Sequence, residues 1–100
     1  MPAYIIVQIR VTDAQTYQKY AAQVAPTIAQ YDGRYLVRGG EFEVLEGEWD
    51  QWRHVVLEFP SVERARQWHA SAEYAPLKAL RMSASHGQAI VIEGFSPSAA

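Results

Sequence analysis

Cysteine is absent from the sequence, which removes disulfides, thiolate nucleophiles and thiolate-held zinc or iron–sulfur centres in one step. Positive charge is scarce as well: 9 Lys and Arg face 11 Asp and Glu, the formal net charge is −2, and no basic run occurs. A chain so balanced has no broad attraction for phosphate backbones or anionic lipid, so neither nucleic acid nor membrane is expected as a partner. No apolar stretch approaches the roughly 20 residues that cross a bilayer. The opening Met1-Pro2-Ala3-Tyr4 lacks the basic start and apolar run of a secretory signal, and a cytoplasmic protein is expected. A Gly-x-Ser-x-Gly elbow and a phosphate-cradling glycine loop are missing too, and with them go the hydrolase and kinase readings. The 3 histidines, His54, His69 and His86, include no pair at metal-site spacing, and a lone histidine is poor evidence for haem. Neither metal nor cofactor is expected.

What the chain does have is the makings of one core. Its 100 residues are 49% hydrophobic and 20% charged, the size and balance of a single folded domain. From Tyr4 the residues alternate, with Ile5, Val7, Ile9 and Val11 on one face and Tyr4, Ile6, Gln8 and Arg10 on the other, a strand whose first face is core. Thr12-Asp13-Ala14-Gln15 fits a capping box with Thr12 as the cap. The helix it opens carries Tyr17, Tyr20, Ala21, Val24, Ile28 and Tyr31 as one stripe; Pro26 predicts a kink or restart near Ala25, and Asp32-Gly33 predicts the end. Residues 34–38 read as a short strand, Gly39-Gly40 as a turn, and residues 42–49 as the hairpin partner. Residues 53–59 read as a third strand, with Arg53, Val55, Leu57 and Phe59 opposing His54, Val56 and Glu58. Ser61 caps a helix bearing Val62, Ala65, Trp68 and His69. Ser71 caps a further one through Tyr74, Leu77, Leu80 and Arg81, with Pro76 in or just past its first turn. Residues 88–94 make the last strand, and after a single domain over residues 1–95 the remainder, 96–100, reads as a flexible tail.

This order of elements amounts to two strand–helix–strand units joined through antiparallel strands, an α+β sandwich of the ferredoxin-like βαββαβ kind. Helices then cover one face of the sheet only. The other face carries Tyr4, Ile6, Val56 and members of the last strand, too apolar a group to leave in water. The chain has no spare element to cover it, so a second copy packed sheet to sheet about a two-fold axis is expected.

Several pieces of the sequence are also familiar as a set. Met1-Pro2-Ala3-Tyr4, Val11-Thr12-Asp13, the Tyr17 and Tyr20 pair, the run from Gly33 through Gly40, Val44-Leu45-Glu46-Gly47 and Glu58-Phe59-Pro60-Ser61 follow one another in a particular order and spacing. Ser71-Ala72-Glu73-Tyr74, Leu77-Lys78-Ala79-Leu80-Arg81 and Val91-Ile92-Glu93-Gly94 complete it. Across nearly its whole length the chain resembles the DUF1330 family, with Pro76 standing where that pattern would carry an ordinary helix former. The resemblance implies a dimeric α+β barrel of ferredoxin-like subunits and no particular activity. The wider superfamily includes cofactor-independent monooxygenases, lactone isomerases and haem enzymes, but a fold does not fix a function.

The candidate chemistry is modest. His69, beside Trp68, either acts as a general base in a cleft between helix and sheet or is a satisfied histidine at the edge of the core. His54 shares a face with Glu58 and suits an interface hydrogen bond better than catalysis. Arg38 and Glu46, on the two arms of the expected hairpin, read as a cross-strand pair that either holds a small carboxylate or enolate or fixes register. Arg81 is an anion clamp or a solvated charge near a helix end. Tyr17, Tyr20, Tyr35 and Tyr74 either frame a pocket for a phenolic or keto ligand or are core with hydroxyls reaching water. Two functional classes follow: a homodimeric small-ligand-binding or structural module, and a cofactor-independent enzyme of monooxygenase, isomerase or proton-transfer type acting on a small polar or aromatic metabolite.

Overall fold

The computed structural model describes residues 1–96; of the expected tail, residues 97–100 lie outside the described residues. The elements run β1 (Ala3–Val11), α1 (Ala14–Gln30), β2 (Arg34–Arg38), β3 (Arg53–Phe59), α2 (Val62–His69), α3 (Ala75–Ala84) and β4 (Ser85–Glu93). The four strands form one antiparallel sheet in the order β2-β3-β1-β4. Helices lie against one of its faces, in the ferredoxin-like subunit arrangement of dimeric α+β barrel proteins.

Period-two alternation sets the core. Ile5 and Ile9 from β1 and Leu57 and Phe59 from β3 are buried against Tyr17, Tyr20, Val24 and Ile28 of α1 and Ala65 and Trp68 of α2. Helix α1 begins one residue later than the capping box predicts. Asp13 is the cap, its carboxylate accepting from the Thr16 amide at 3.2 Å and the Thr16 hydroxyl at 2.7 Å. The amides of Thr12 and Asp13 both donate to the Ala84 carbonyl at the end of α3, and Asp13, a stronger cap than threonine, takes the position. The helix then continues through Pro26 without restarting. Pro26 is exposed while Val24 and Ile28 on either side are buried, so the missing amide bond lies on the wet face and packing holds the dry one. At the far end Asp32 takes the left-handed conformation, φ 66°, while the Asp32 and Gly33 amides donate to Ala29 and Ile28, a closing turn of the Schellman type. Gly33 has a separate reason to lack a side chain: a Cβ there would stand 2.5 Å from the Phe59 ring.

In the second half Ser61 caps its helix as expected, whereas Ser71 closes the turn before α3 and not α3 itself, whose N-cap residue is Tyr74 with no side-chain cap bond. Ser61 accepts from the Arg64 amide at 3.0 Å and opens α2. Ser71 donates to the Trp68 carbonyl at 2.8 Å and accepts from the Tyr74 amide at 3.1 Å, capping a turn from which α3 starts with Pro76 in its first turn, where proline's missing donor costs nothing. β4 is longer than expected at its start, since α3 runs directly into it.

One expected element is not there. Residues 42–49 form no strand; β2 pairs with β3, and residues 39–52 are the long connection between them. The loop folds onto the opposite face of β3, where the Phe42 ring meets the His54 ring at 4.7 Å and the Trp49 indole stacks on it at 6.0 Å, donating to His54 Nε2 at 2.8 Å. Beyond that corner no described residue covers the helix-free face. Register places Val37, Val56, Ile6 and Ile90 in a single row across all four strands, and Ile90 and Ile92 are about half exposed, at 55% and 48%.

Candidate ligand pocket between sheet and helices

The tyrosines of α1 and the turn before α3 do not close tightly on the sheet. Between them lies a narrow cavity of about 30 Å³, floored by Ile5, Val7 and Ile9 of β1 and Val55 and Leu57 of β3, and roofed by Tyr17, Tyr20, Trp68 and Tyr74. Its rim carries Arg38 and Tyr35 from β2, Arg53 from β3, Arg81 from α3 and His69 from the end of α2. Two surface grooves of about 380 Å³ each share His69 and Ala89 with it. One is apolar, with Ala65, Ala70 and Val91 in its walls; the other passes Ser85, His86 and Gln88.

Most residues singled out from the sequence therefore meet around one space. Tyr17, Tyr20 and Tyr74 are buried and joined ring to ring, at 5.5 Å between Tyr17 and Tyr20 and 6.4 Å between Tyr20 and Tyr74. Arg81 Nε donates to the Tyr74 hydroxyl at 3.3 Å, and the Tyr74 and Tyr20 hydroxyls are 3.2 Å apart. Burial pushes the Tyr20 phenol far above its usual range, and the Tyr74 hydroxyl raises it further, so Tyr20 stays a neutral O–H. Arg38 lies with its guanidinium 4.7 Å from the Tyr35 ring centre and donates to the Ala21 carbonyl at 2.9 Å. His69 sits at the exposed rim, yet partial burial, helped by Lys78 and Arg81, lowers its pKa below the usual 6.5. Its ring nitrogens bond to no other described residue.

Glu46 does not belong to this group. It lies in the 39–52 loop with Phe42, Leu45 and Trp49, and the expected Arg38–Glu46 cross-strand pair does not exist because β3, not residues 42–49, is the partner of β2: Arg38 stands opposite Val55. His54 lies on the other face beneath that loop, and His86 on β4 is exposed. A cavity-lining residue not singled out from the sequence is Arg53. Its signal was visible, a cation in phase with Val55, Leu57 and Phe59 on the buried face of a strand. In the fold its guanidinium is 5.6 Å from the centre of the Tyr17 ring. The buried Nε has no hydrogen-bond partner. Gly39 makes room for it, since a Cβ at that position, besides being strained at φ 70°, would overlap the guanidinium.

A family model described as a domain of unknown function, DUF1330, matches residues 2–95. The chain belongs to the DUF1330 family. No curated protein matches its sequence. Among solved structures this DUF1330 domain is similar to the RPA0582 protein of unknown function from Rhodopseudomonas palustris, with 21% identity over 96% of this chain and 84% of that one and a TM-score of 0.76. It is also similar to a dimeric ferredoxin-like protein of unknown function from Jannaschia sp. CCS1, at 8% identity, 94% and 100% coverage and a TM-score of 0.71. SnoaB, a cofactor-independent oxygenase from Streptomyces nogalater, follows at 13% identity, 95% and 94% coverage and a TM-score of 0.65. At these identities the likenesses establish a shared fold, and the chemistry of the DUF1330 pocket has to be argued from its own residues. Among the described residues no helix is long and apolar enough to cross a membrane, and no group of His, Cys, Asp or Glu is arranged to hold a metal ion.

Proposed function

We propose that this DUF1330 domain is a cytoplasmic homodimer in which each subunit holds one small organic molecule between its sheet and its helices. The observation that carries the reading is the cavity together with the apolar groove that shares His69 and Ala89 with it: aromatic and aliphatic walls with a few polar groups at the rim, as in small-molecule sites. The pairing of subunits is supported by the helix-free face. Its apolar row of Val37, Val56, Ile6 and Ile90 is flanked on one side by the Arg34–Glu58 ion pair and on the other by the Gln8–Gln88 hydrogen bond, an apolar centre with a polar rim as in an interface. The Jannaschia protein of the same fold is described as dimeric. Native mass spectrometry of protein taken directly from cells tests both halves together. The expected result is a mass of twice 11.3 kDa plus up to two copies of a small molecule; a bare monomer would overturn the reading.

A second reading is favoured by one observation, the imidazole of His69 kept neutral at the mouth of the cavity beside Arg81. A neutral imidazole accepts a proton, and a nearby guanidinium holds the oxygen anion that proton removal leaves behind. That is the arrangement of a cofactor-independent proton-transfer enzyme, and SnoaB shows that oxygenase chemistry without a cofactor occurs on this fold. His69→Gln separates the two: retained ligand with lost turnover supports the enzyme, whereas no turnover of any retained molecule by the unsubstituted protein supports the binding domain.

A further inference from the structure

We propose that the molecule held in the cavity is an organic anion, a flat apolar body carrying one carboxylate or enolate, with Arg53 as its principal anchor. This rests on the small-molecule reading above and goes further by fixing the charge and orientation of the ligand. The first argument is the balance of charge. Arg38, Arg53 and Arg81 reach the cavity and no Asp or Glu lines it. The ion pairs among the described residues, Arg34–Glu58 and Arg64–Asp32, lie elsewhere. A guanidinium half-removed from water without a counter-charge is costly, and a bound anion removes that cost.

The second argument is the direction of the hydrogen bonds. Arg53 Nε is a donor, buried and unpartnered. Arg81 Nε donates to the Tyr74 hydroxyl, which stands 3.2 Å from the Tyr20 hydroxyl. The Arg53 Nε hydrogen has no acceptor among the described residues, and an acceptor-only group such as a carboxylate satisfies it.

The third argument is size. An enclosed volume of about 30 Å³ is roughly two water positions, enough for a charged head group and too small for a ring. The body then extends past His69 and Ala89 into the apolar groove between α2 and β4.

Nuclear magnetic resonance titration of the full chain, following the Arg53 Nε–H and Trp68 indole signals, tests this with benzoate and 3-phenylpropionate against their neutral amides. The expected result is saturable shifts with either acid at least about tenfold tighter than its amide, in keeping with charge-assisted hydrogen bonds. Arg53→Met should remove that preference, and Arg53→Lys should restore part of it. Acid and amide binding alike would overturn the anion assignment and leave the pocket standing. Shifts from neither would overturn both. If Arg53→Met fails to fold, the unsubstituted protein decides the matter alone, since its acid-to-amide ratio needs no variant.

Discussion

The residue that opens α1 is Asp13, and its behaviour with pH follows from its partners. Hydrogen bonds from the Thr16 hydroxyl and amide hold its carboxyl below the usual 3.8. A folded-state pKa below the unfolded one means that the cap contributes stability above the ordinary Asp range and loses it as pH falls through the lowered value. Asp13→Asn keeps a capping oxygen that does not titrate. Urea titrations between pH 7 and 2.5 are expected to show the unsubstituted protein ahead at neutral pH and the gap closing on acidification; a gap independent of pH would deny Asp13 this role. Ser61→Ala, by contrast, should cost about 1 kcal/mol at every pH, read from the same titrations. Ser61 and the Asp32-Gly33 stop were legible in the sequence because each stands alone at its boundary, whereas Ser71 caps the turn before α3 and not the helix expected there. Thr12 does not cap α1 because two capping residues adjoin and the Asp13 carboxylate takes the Thr16 amide. Arg53 was legible in phase but not in consequence: alternation says which way a side chain points, not whether an acid will meet it.

Among the elements, local pattern succeeded wherever the partner surface was broad. The stripe on α1 faces a whole sheet, so Tyr17, Tyr20, Val24 and Ile28 are buried as expected, even across Pro26. It failed at residues 42–49, whose alternating Phe42, Val44 and Glu46 looks like a strand although β2 has only one inward edge and β3 occupies it. That error produced the Arg38–Glu46 pair, so one wrong pairing displaced one member of the site while Arg38, His69, Arg81 and three tyrosines still converged. The loop's anchor makes a prediction. Trp49→Ala removes the indole that stacks on His54 and donates to it, so Glu-specific proteolysis should cut at Glu41, Glu43, Glu46 or Glu48 several-fold faster while circular dichroism stays unchanged. Equal cutting rates would mean that the loop is not held there. The edge strand makes another. Gly87 faces Ile9 on β1, and a Cβ there would come within 2.5 Å of the Ile9 side chain and closer still to the Gln8 carbonyl. Gly87→Ala is expected to cost about 1–3 kcal/mol in denaturant unfolding; an unaffected midpoint would show that β4 shifts freely.

For the molecule as a whole, the decisive feature is that it is a slab. Its extents are 44 × 39 × 16 Å, two layers thick, with helices on one side of the sheet and only the Phe42–Trp49 corner of the loop on the other. A two-layer domain buries one face of its sheet by itself, and the row Val37, Val56, Ile6 and Ile90 then remains as apolar area that water does not favour. In the proposed homodimer a second copy set face to face about a two-fold axis places that row against itself and returns the same geometry to both subunits. Ile90 is the useful probe because it is 55% exposed in the single subunit, so a charge there is solvated in a monomer and desolvated only in the dimer. Ile90→Lys is therefore expected to leave secondary structure and unfolding of the subunit intact while weakening association by 100-fold or more, the consequence of about 3 kcal/mol for placing lysines in an apolar centre. Sedimentation equilibrium reads this directly, as a shift from twice 11.3 kDa toward 11.3 kDa at micromolar concentration. Undiminished association of Ile90→Lys would move the contact to some other surface. The cavity, on the helix side of the sheet, would be untouched by that outcome, which keeps the two halves of the proposal separately open to refutation.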